Sequence, residues 1–225
     1  MARVCVFDVN ETLLDLGALD PHFERIFGDA AVRQAWFGQF LASWLTLTVI
    51  GDYWAFGTIS GTALEMVAER QGVNLSDEDK QQILNGMQEL PPHPEVDESL
   101  SRLREAGIRL AALTNSTQQV ADAQIKNAGL QGHFEQVLSA DTVKRLKPAP
   151  EPYRMAADSL GVELGEVRLV AAHAWDVAGA IRAGCAAAFV ARPGMVLNPL
   201  VERPDVVGAD LREVADQIIE AESGG

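Results

Sequence analysis

Four short and mostly apolar runs punctuate this chain: VCVF (4–7), RLAALT (109–114), RLVAA (168–172) and AAFVA (187–191). Runs this short and this uniformly apolar fit strands buried on both faces of a parallel sheet. Helical patterns over 95–106, 118–128, 150–160 and 177–183 are interleaved with them, and Gly107, Gly129, Gly161 and Gly184 fall where those helices should end. Strand and helix in alternation imply an α/β fold built on a doubly wound parallel sheet. The 225 residues suffice for a sizeable core.

The stretch 16–92 breaks this pattern. Phe23, Phe27, Val32, Trp36, Phe40, Trp44 and Leu47 recur there at helical spacing, and helical patterns follow over 53–71 and 76–89. Ser76 before Asp77, Glu78 and Asp79 reads as an N-cap with acids in the first turn. The expected organisation is an α/β core from 1–15 and 93–225 with an inserted helical domain at 16–92, closed by the hinge LPPHPEV (90–96). An insertion at that point covers the carboxyl ends of the strands, where open α/β sheets bind ligands. The tail from about 210 reads as a closing helix that frays at Ser223-Gly224-Gly225.

A net charge of −14 repels phosphate backbones and anionic lipids, so neither nucleic acid nor membrane is an expected partner. An anionic substrate therefore needs a locally positive pocket. No apolar stretch reaches the roughly 18 residues of a membrane span, and Met1-Ala2-Arg3 passes straight into a strand pattern. The expected location is the cytoplasm. Cys5 and Cys185 lie in apolar runs and read as buried thiols.

Asp8 ends the first run, and Asn10, Glu11 and Thr12 form the turn after it. Thr114 ends the second run and is followed by Asn115 and Ser116, donors suited to an anion. Lys147 precedes Pro148, which pins its loop. Asp176 follows the third run. In a parallel sheet these strand ends face one crevice. A carboxylate there can attack carbon or phosphorus and form a covalent intermediate. A lysine keeps it ionised and neutralises an incoming anion, and a second carboxylate holds the lysine, positions water or binds a metal. Taken singly, Asp8 is a turn residue, Asp176 an N-cap for a helix at Val177, and Lys147 a solvated lysine. Trp36, Phe40 and Trp44 read chiefly as the apolar face of the insert.

Together, FDVNETL (7–13), LTNS (113–116), KPAPEPY (147–153) and AHAWD (172–176) resemble, in order and spacing, the four motifs of the haloacid dehalogenase superfamily. The resemblance implies a Rossmann-like core with a helical cap, Asp8 as nucleophile, and Thr114 and Asn115 as binders of the substrate anion. It further implies that Lys147 steadies the charge and acts with Asp176 in the second half-reaction.

Superfamily phosphatases carry a second aspartate where Asn10 stands and usually two acids in the last motif, where this chain has Ala171 and Ala172 before Asp176. A halide needs no proton to leave. HAWDVAGA (173–180) is similar to the corresponding motif of the type II L-2-haloacid dehalogenases, and Tyr153 matches an active-site tyrosine of that branch. Those enzymes carry a tyrosine at the place of Asn10, an asparagine at His173 and a serine at Ala171. They also carry a halide-receiving arginine beside a tryptophan; here Phe37 follows Trp36, and Arg33, one turn earlier, is the candidate to reach inward. The implied activity is hydrolysis of small 2-haloacids through an aspartyl ester without a cofactor. Asn10, Thr12, Tyr153 and His173 are further candidate pocket residues, although Thr12 also reads as a brace of the nucleophile loop, and Tyr153 and His173 equally as packing or structural residues. Two alternatives stay open: a phosphatase using magnesium on Asp8 and Asp176, and a catalytically weak binder of small carboxylates. An exposed apolar cap face would suit a homodimer.

Overall fold

The computed structural model describes residues 4–223; Met1–Arg3 and Gly224–Gly225, where the sequence analysis placed the lead-in and the frayed tail, lie outside the described residues. The chain opens with β1 (Val4–Phe7) and then runs through four helices, α1 (Asp20–Phe27), α2 (Val32–Ile50), α3 (Phe56–Gln71) and α4 (Asp77–Gly86). It continues as α5 (Val96–Glu105), β2 (Arg109–Thr114), α6 (Gln118–Asn127), β3 (Gln136–Ser139), α7 (Pro150–Leu160) and β4 (Val167–Ala171). The last elements are α8 (Ala174–Ala183), β5 (Ala186–Val190), β6 (Val206–Gly208) and α9 (Leu211–Ser223).

The strands form one sheet in the order β3-β2-β1-β4-β5-β6, with every neighbouring pair parallel. Chain order reverses at β1, so the crevice between β1 and β4 is the topological switch point, where such sheets bind ligands. All four residues of β1 are buried. Their alternation sends Val4 and Val6 to one face, against Tyr153, Ala156, Leu160 and Val177, and Cys5 and Phe7 to the other, against Leu100, Leu103 and Ile125. Both thiols are free and buried, and burial pushes each up to about 12.

Two short strands escape the sequence pattern. The β3 run, QVLS, is mostly half-buried, and β6 has only three residues. Strands β4 and β5 start and end one residue earlier than expected, and α3 begins at Phe56 rather than 53. Helix α8 begins at Ala174 with His173 at its N-cap, which puts Asp176 in the first turn rather than at the cap. Ser76 does cap α4, accepting from the Asp79 N–H.

The two chain passages between the sheet and the helical segment lie side by side. Leu14 pairs with Pro92, the Asp15 N–H donates to Pro91 O at 2.9 Å, and the His93 N–H donates to Leu13 O at 2.9 Å. Phe23, Trp36, Phe40 and Trp44 fill the interior of the helical segment, where Phe40 and Phe56 approach to 4.4 Å between ring centres.

Candidate active site

Asp8 leaves β1 at the switch point, its N–H donating to Val170 O at 3.0 Å. The turn after it is fixed on several sides. The Leu13 and Leu14 N–H groups donate to Val9 O at 2.9 and 3.0 Å, His93 Nε2 lies 3.2 Å from Glu11 O, and the Arg192 guanidinium donates to Thr12 O at 2.8 Å. Glu11 takes a left-handed φ of 61°. A non-glycine residue held there costs roughly 1–3 kcal/mol and persists where its surroundings enforce it. The result aims the Glu11 carboxylate at His173.

Lys147 is fully buried, and its three ammonium protons meet three acceptors: Asp8 Oδ1 at 2.9 Å, Leu113 O at 2.9 Å and Asp176 Oδ2 at 2.6 Å. Asn115 fixes the lysine's main chain: its Oδ1 accepts from the Lys147 N–H at 2.8 Å and its Nδ2 donates to Lys147 O at 3.3 Å. The Tyr153 hydroxyl donates to Asp176 Oδ1 at 2.6 Å. Gly179 on α8 permits this packing, because a Cβ there would lie 2.5 Å from Pro148 Cβ and 2.7 Å from the Tyr153 hydroxyl.

The other oxygen of Asp8, Oδ2, accepts from Thr12 Oγ1 at 2.7 Å and lies 3.3 Å from His173 Nδ1. His173 Nε2 lies 2.8 Å from Glu11 Oε2. Burial opposes charge on the imidazole, but the hydrogen bonds to Asp8 and Glu11 outweigh it and push His173 up to about 9. Burial likewise raises Asp8, yet Lys147 and His173 overcome it and hold this carboxyl below the usual range. Burial opposes charge on Lys147 too, but Asp176 and Asp8 hold it above its ordinary value. For Asp176 burial prevails over Lys147, and its carboxyl is raised. Burial and Asp176 together push Tyr153 well up, so it remains a donor.

Asp8, Thr12, Thr114, Asn115, Lys147, Tyr153, His173 and Asp176 are all buried around this crevice. Asn10 is buried as well, but its Oδ1 accepts from Gln124 on α6 at 2.9 Å, so its amide is engaged away from Asp8. Arg33 donates to Asp20 at 2.5 Å and lies 3.9 Å from Glu11 Oε1. It faces the rim acid, and Asp8 is not among its partners. Trp36 packs inside the helical segment, stacked on Phe40 and donating to Ser60 O at 3.1 Å, rather than lining the crevice. Phe37, by contrast, reaches it and stacks on His173, which stacks in turn on Trp175 at 5.2 Å. The sequence reading gave Glu11 only a place in the turn after Asp8, and gave no role to Arg192 or Gly179. Only Gly179 carried a local signal, inside DVAGA, since the other two act through contacts distant in the chain.

A cavity of about 820 Å³ lined by Pro148, Arg154, Trp175, Gly179 and Arg182 flanks the site. Another of about 320 Å³ lies between Phe40, Phe56 and Met87 of the helical segment and Ser116 and Thr117 after β2. Neither includes Asp8. The donor set does not fit magnesium: the Lys147 ammonium bridges Asp8 and Asp176, Ala171 and Ala172 supply no ligand, and Asn10 is taken by Gln124.

A buried carboxylate at a strand end, a lysine and a second carboxylate together suit hydrolysis through a covalent intermediate. The model of the haloacid dehalogenase-like hydrolase family matches residues 2–184, and the chain belongs to that family. It is 31% identical over 200 residues to (S)-2-haloacid dehalogenase 4A of Burkholderia cepacia, covering 85% of this chain and 84% of that one. It is 28% identical over 213 residues to the (S)-2-haloacid dehalogenase of Pseudomonas sp. strain YL, covering 93% and 91%. The solved L-2-haloacid dehalogenase from Xanthobacter autotrophicus with chloropropionic acid covalently bound superposes with a TM-score of 0.89 at 26% identity, covering 97% of this chain and 98% of that one.

Proposed function

We propose that this hydrolase removes halide from small 2-haloacids through a covalent ester on Asp8, without a metal. The observation that carries the reading is the buried Lys147 ammonium shared by Asp8 and Asp176. It keeps Asp8 ionised and links it to a second carboxylate suited to accept a proton. The likeness to 2-haloacid dehalogenases supports the substrate class.

Asp8 attacks C2 in line; the C–O bond forms as the carbon–halogen bond breaks and halide leaves with the pair. Water then adds to Cγ of Asp8 while Asp176 takes one of its protons. Collapse breaks the Cγ–O bond to the product, Lys147 passes a proton to the departing alkoxide, and Asp176 returns one to Lys147. Asp8 ionises again and releases the second water proton. Thr114, whose Oγ1 accepts from the Ser116 N–H at 3.2 Å, keeps its own proton for the substrate carboxylate. Tyr153 orients Asp176, and Asn115 acts through Lys147.

Residues 16–92 form the cap in this reading and 1–15 with 93–225 the core, supported by the paired passages at Leu14 and Pro92. The exposed Val49, Ile50 and Trp54 support self-association as a homodimer. The strongly acidic chain disfavours nucleic acid, and no helix among the described residues is long and apolar enough to cross a membrane; a cytoplasmic enzyme fits both.

Halide release from chloro-, bromo- and fluoroacetate and L-2-chloropropionate, with Asp8→Ala as the blank, tests the reading. Release untouched by chelator is expected. Phosphate release from an aryl phosphate that requires magnesium, with no halide, contradicts it.

A further inference from the structure

The imidazole of His173 is held more firmly than a binding residue requires. Asp8 and Glu11 engage its two nitrogens, and Phe37 and Trp175 stack on its ring with interplanar angles of 21° and 25°. Its hydrogen bonds also distinguish the two oxygens of the nucleophile. Oδ2 has two donors, Thr12 Oγ1 and His173 Nδ1, whereas Oδ1 has only Lys147 among the described residues. An oxygen whose lone pairs are both engaged is the poorer nucleophile. Oδ1 therefore attacks, and Oδ2 becomes the carbonyl oxygen of the ester.

We propose that His173, oriented by Glu11, is a catalytic residue for the hydrolytic half-reaction: with Thr12 it forms a cationic oxyanion hole on Asp8 Oδ2. When water adds to Cγ, the carbonyl π pair moves onto Oδ2, and the negative charge develops where the imidazolium Nδ1–H and the Thr12 hydroxyl already point. Preorganised donors of this kind lower the barrier because they need no rearrangement as the charge appears. Thr12 is itself fixed, its Oγ1 accepting from the Ala172 N–H at 2.9 Å. Glu11 supplies the counter-charge that the imidazolium keeps once Asp8 is esterified and neutral. This assigns work to the histidine and to the glutamate that balances its charge, in a chain where Phe37 lies over His173 and Arg33 is engaged by Asp20 and Glu11.

The inference rests on the aspartyl-ester reading, and its test separates the two. In rapid-mix experiments with bromoacetate, His173→Ala is expected to release about one halide per enzyme in a fast first turnover. Steady-state turnover should then fall by about 10²–10³-fold, the cost of losing one oxyanion-hole donor. Intact-mass analysis should find the ester accumulated on the protein. His173→Asn, which retains a neutral donor, should recover part of the second step, and Glu11→Gln should slow that step selectively. If first-turnover and steady-state rates fall together in all three folded variants, with no adduct, His173 serves the nucleophile or the fold and the inference is overturned. If the wild-type enzyme yields neither halide nor adduct, the proposed function falls and this assignment with it.

Discussion

The ring of Phe37 lies nearly parallel to the imidazole of His173, with centroids 5.6 Å apart and planes 21° apart. A side chain of the helical segment thus closes directly on the group that touches Asp8. Inserting an arginine at this place meets a cation. In Phe37→Arg the guanidinium would disfavour the imidazolium. Asp8 and Glu11 face this ring, with Lys147 behind Asp8 and Arg33 beside Glu11. An NMR titration of His173 should move from about 9 in the wild type to ~8 or below in the variant. An unchanged midpoint contradicts the stacking.

Lys147 sits between two carboxylates, so removing it takes the ammonium from both buried acids, leaving Asp176 with the Tyr153 hydroxyl and Asp8 with Thr12 and His173. Lys147→Met should lower turnover by about 10³-fold or more and unfolding free energy by about 3–5 kcal/mol. Adding Asp176→Asn should restore part of the stability and none of the turnover. Urea denaturation of the single and double variants measures the coupling, and additive losses contradict it.

Gly179→Ala sets two effects in opposition. Alanine is the better helix former by about 1 kcal/mol, but its Cβ would strike Pro148 and the Tyr153 hydroxyl. Overpacking of this kind costs about 1–3 kcal/mol. Net destabilisation is expected, with reduced turnover as Tyr153 loses Asp176. A variant at least as stable as the wild type and fully active contradicts this.

The His173 charge is linked to folding. Its folded value of about 9 lies above the ordinary 6.5. Its stabilisation is therefore complete below the unfolded value and lost as pH rises through about 9, amounting to about 3 kcal/mol shared with Asp8. Asp8 behaves oppositely: its depressed carboxyl contributes above its unfolded value, and the contribution disappears as acid protonates it. Urea midpoints of wild type and His173→Ala should differ most at about pH 5–6, below the unfolded value of the imidazole and above that of the carboxyl, and converge in strong alkali. A constant difference across the range contradicts the linkage.

The sheet and most of the site were legible because their signals are local. Apolar runs mark β1, β2, β4 and β5, and each functional strand end announces itself by a polar residue after such a run. The β3 strand lacked that signal because its residues are only half-buried, and β6 because three residues carry no period. Asn10 was legible as the absence of an acid, but not as the partner of Gln124, 114 residues away. Arg33 and Trp36 share a helical stretch with Phe37, and sequence spacing alone could not tell which would reach His173. Glu11 was hidden for another reason: its role depends on a left-handed backbone that its residue type does not favour.

The central claim is that Asp8 becomes esterified and that water attacks its own carboxyl carbon. A single turnover of a 2-haloacid with enzyme in excess, run in ¹⁸O-water, tests it directly. The heavy oxygen should appear in the peptide containing Asp8, with the first hydroxyacid formed carrying the ordinary oxygen. Label found directly in the hydroxyacid, with none in Asp8, would mean that water attacks the substrate carbon and that Asp8 is not the nucleophile.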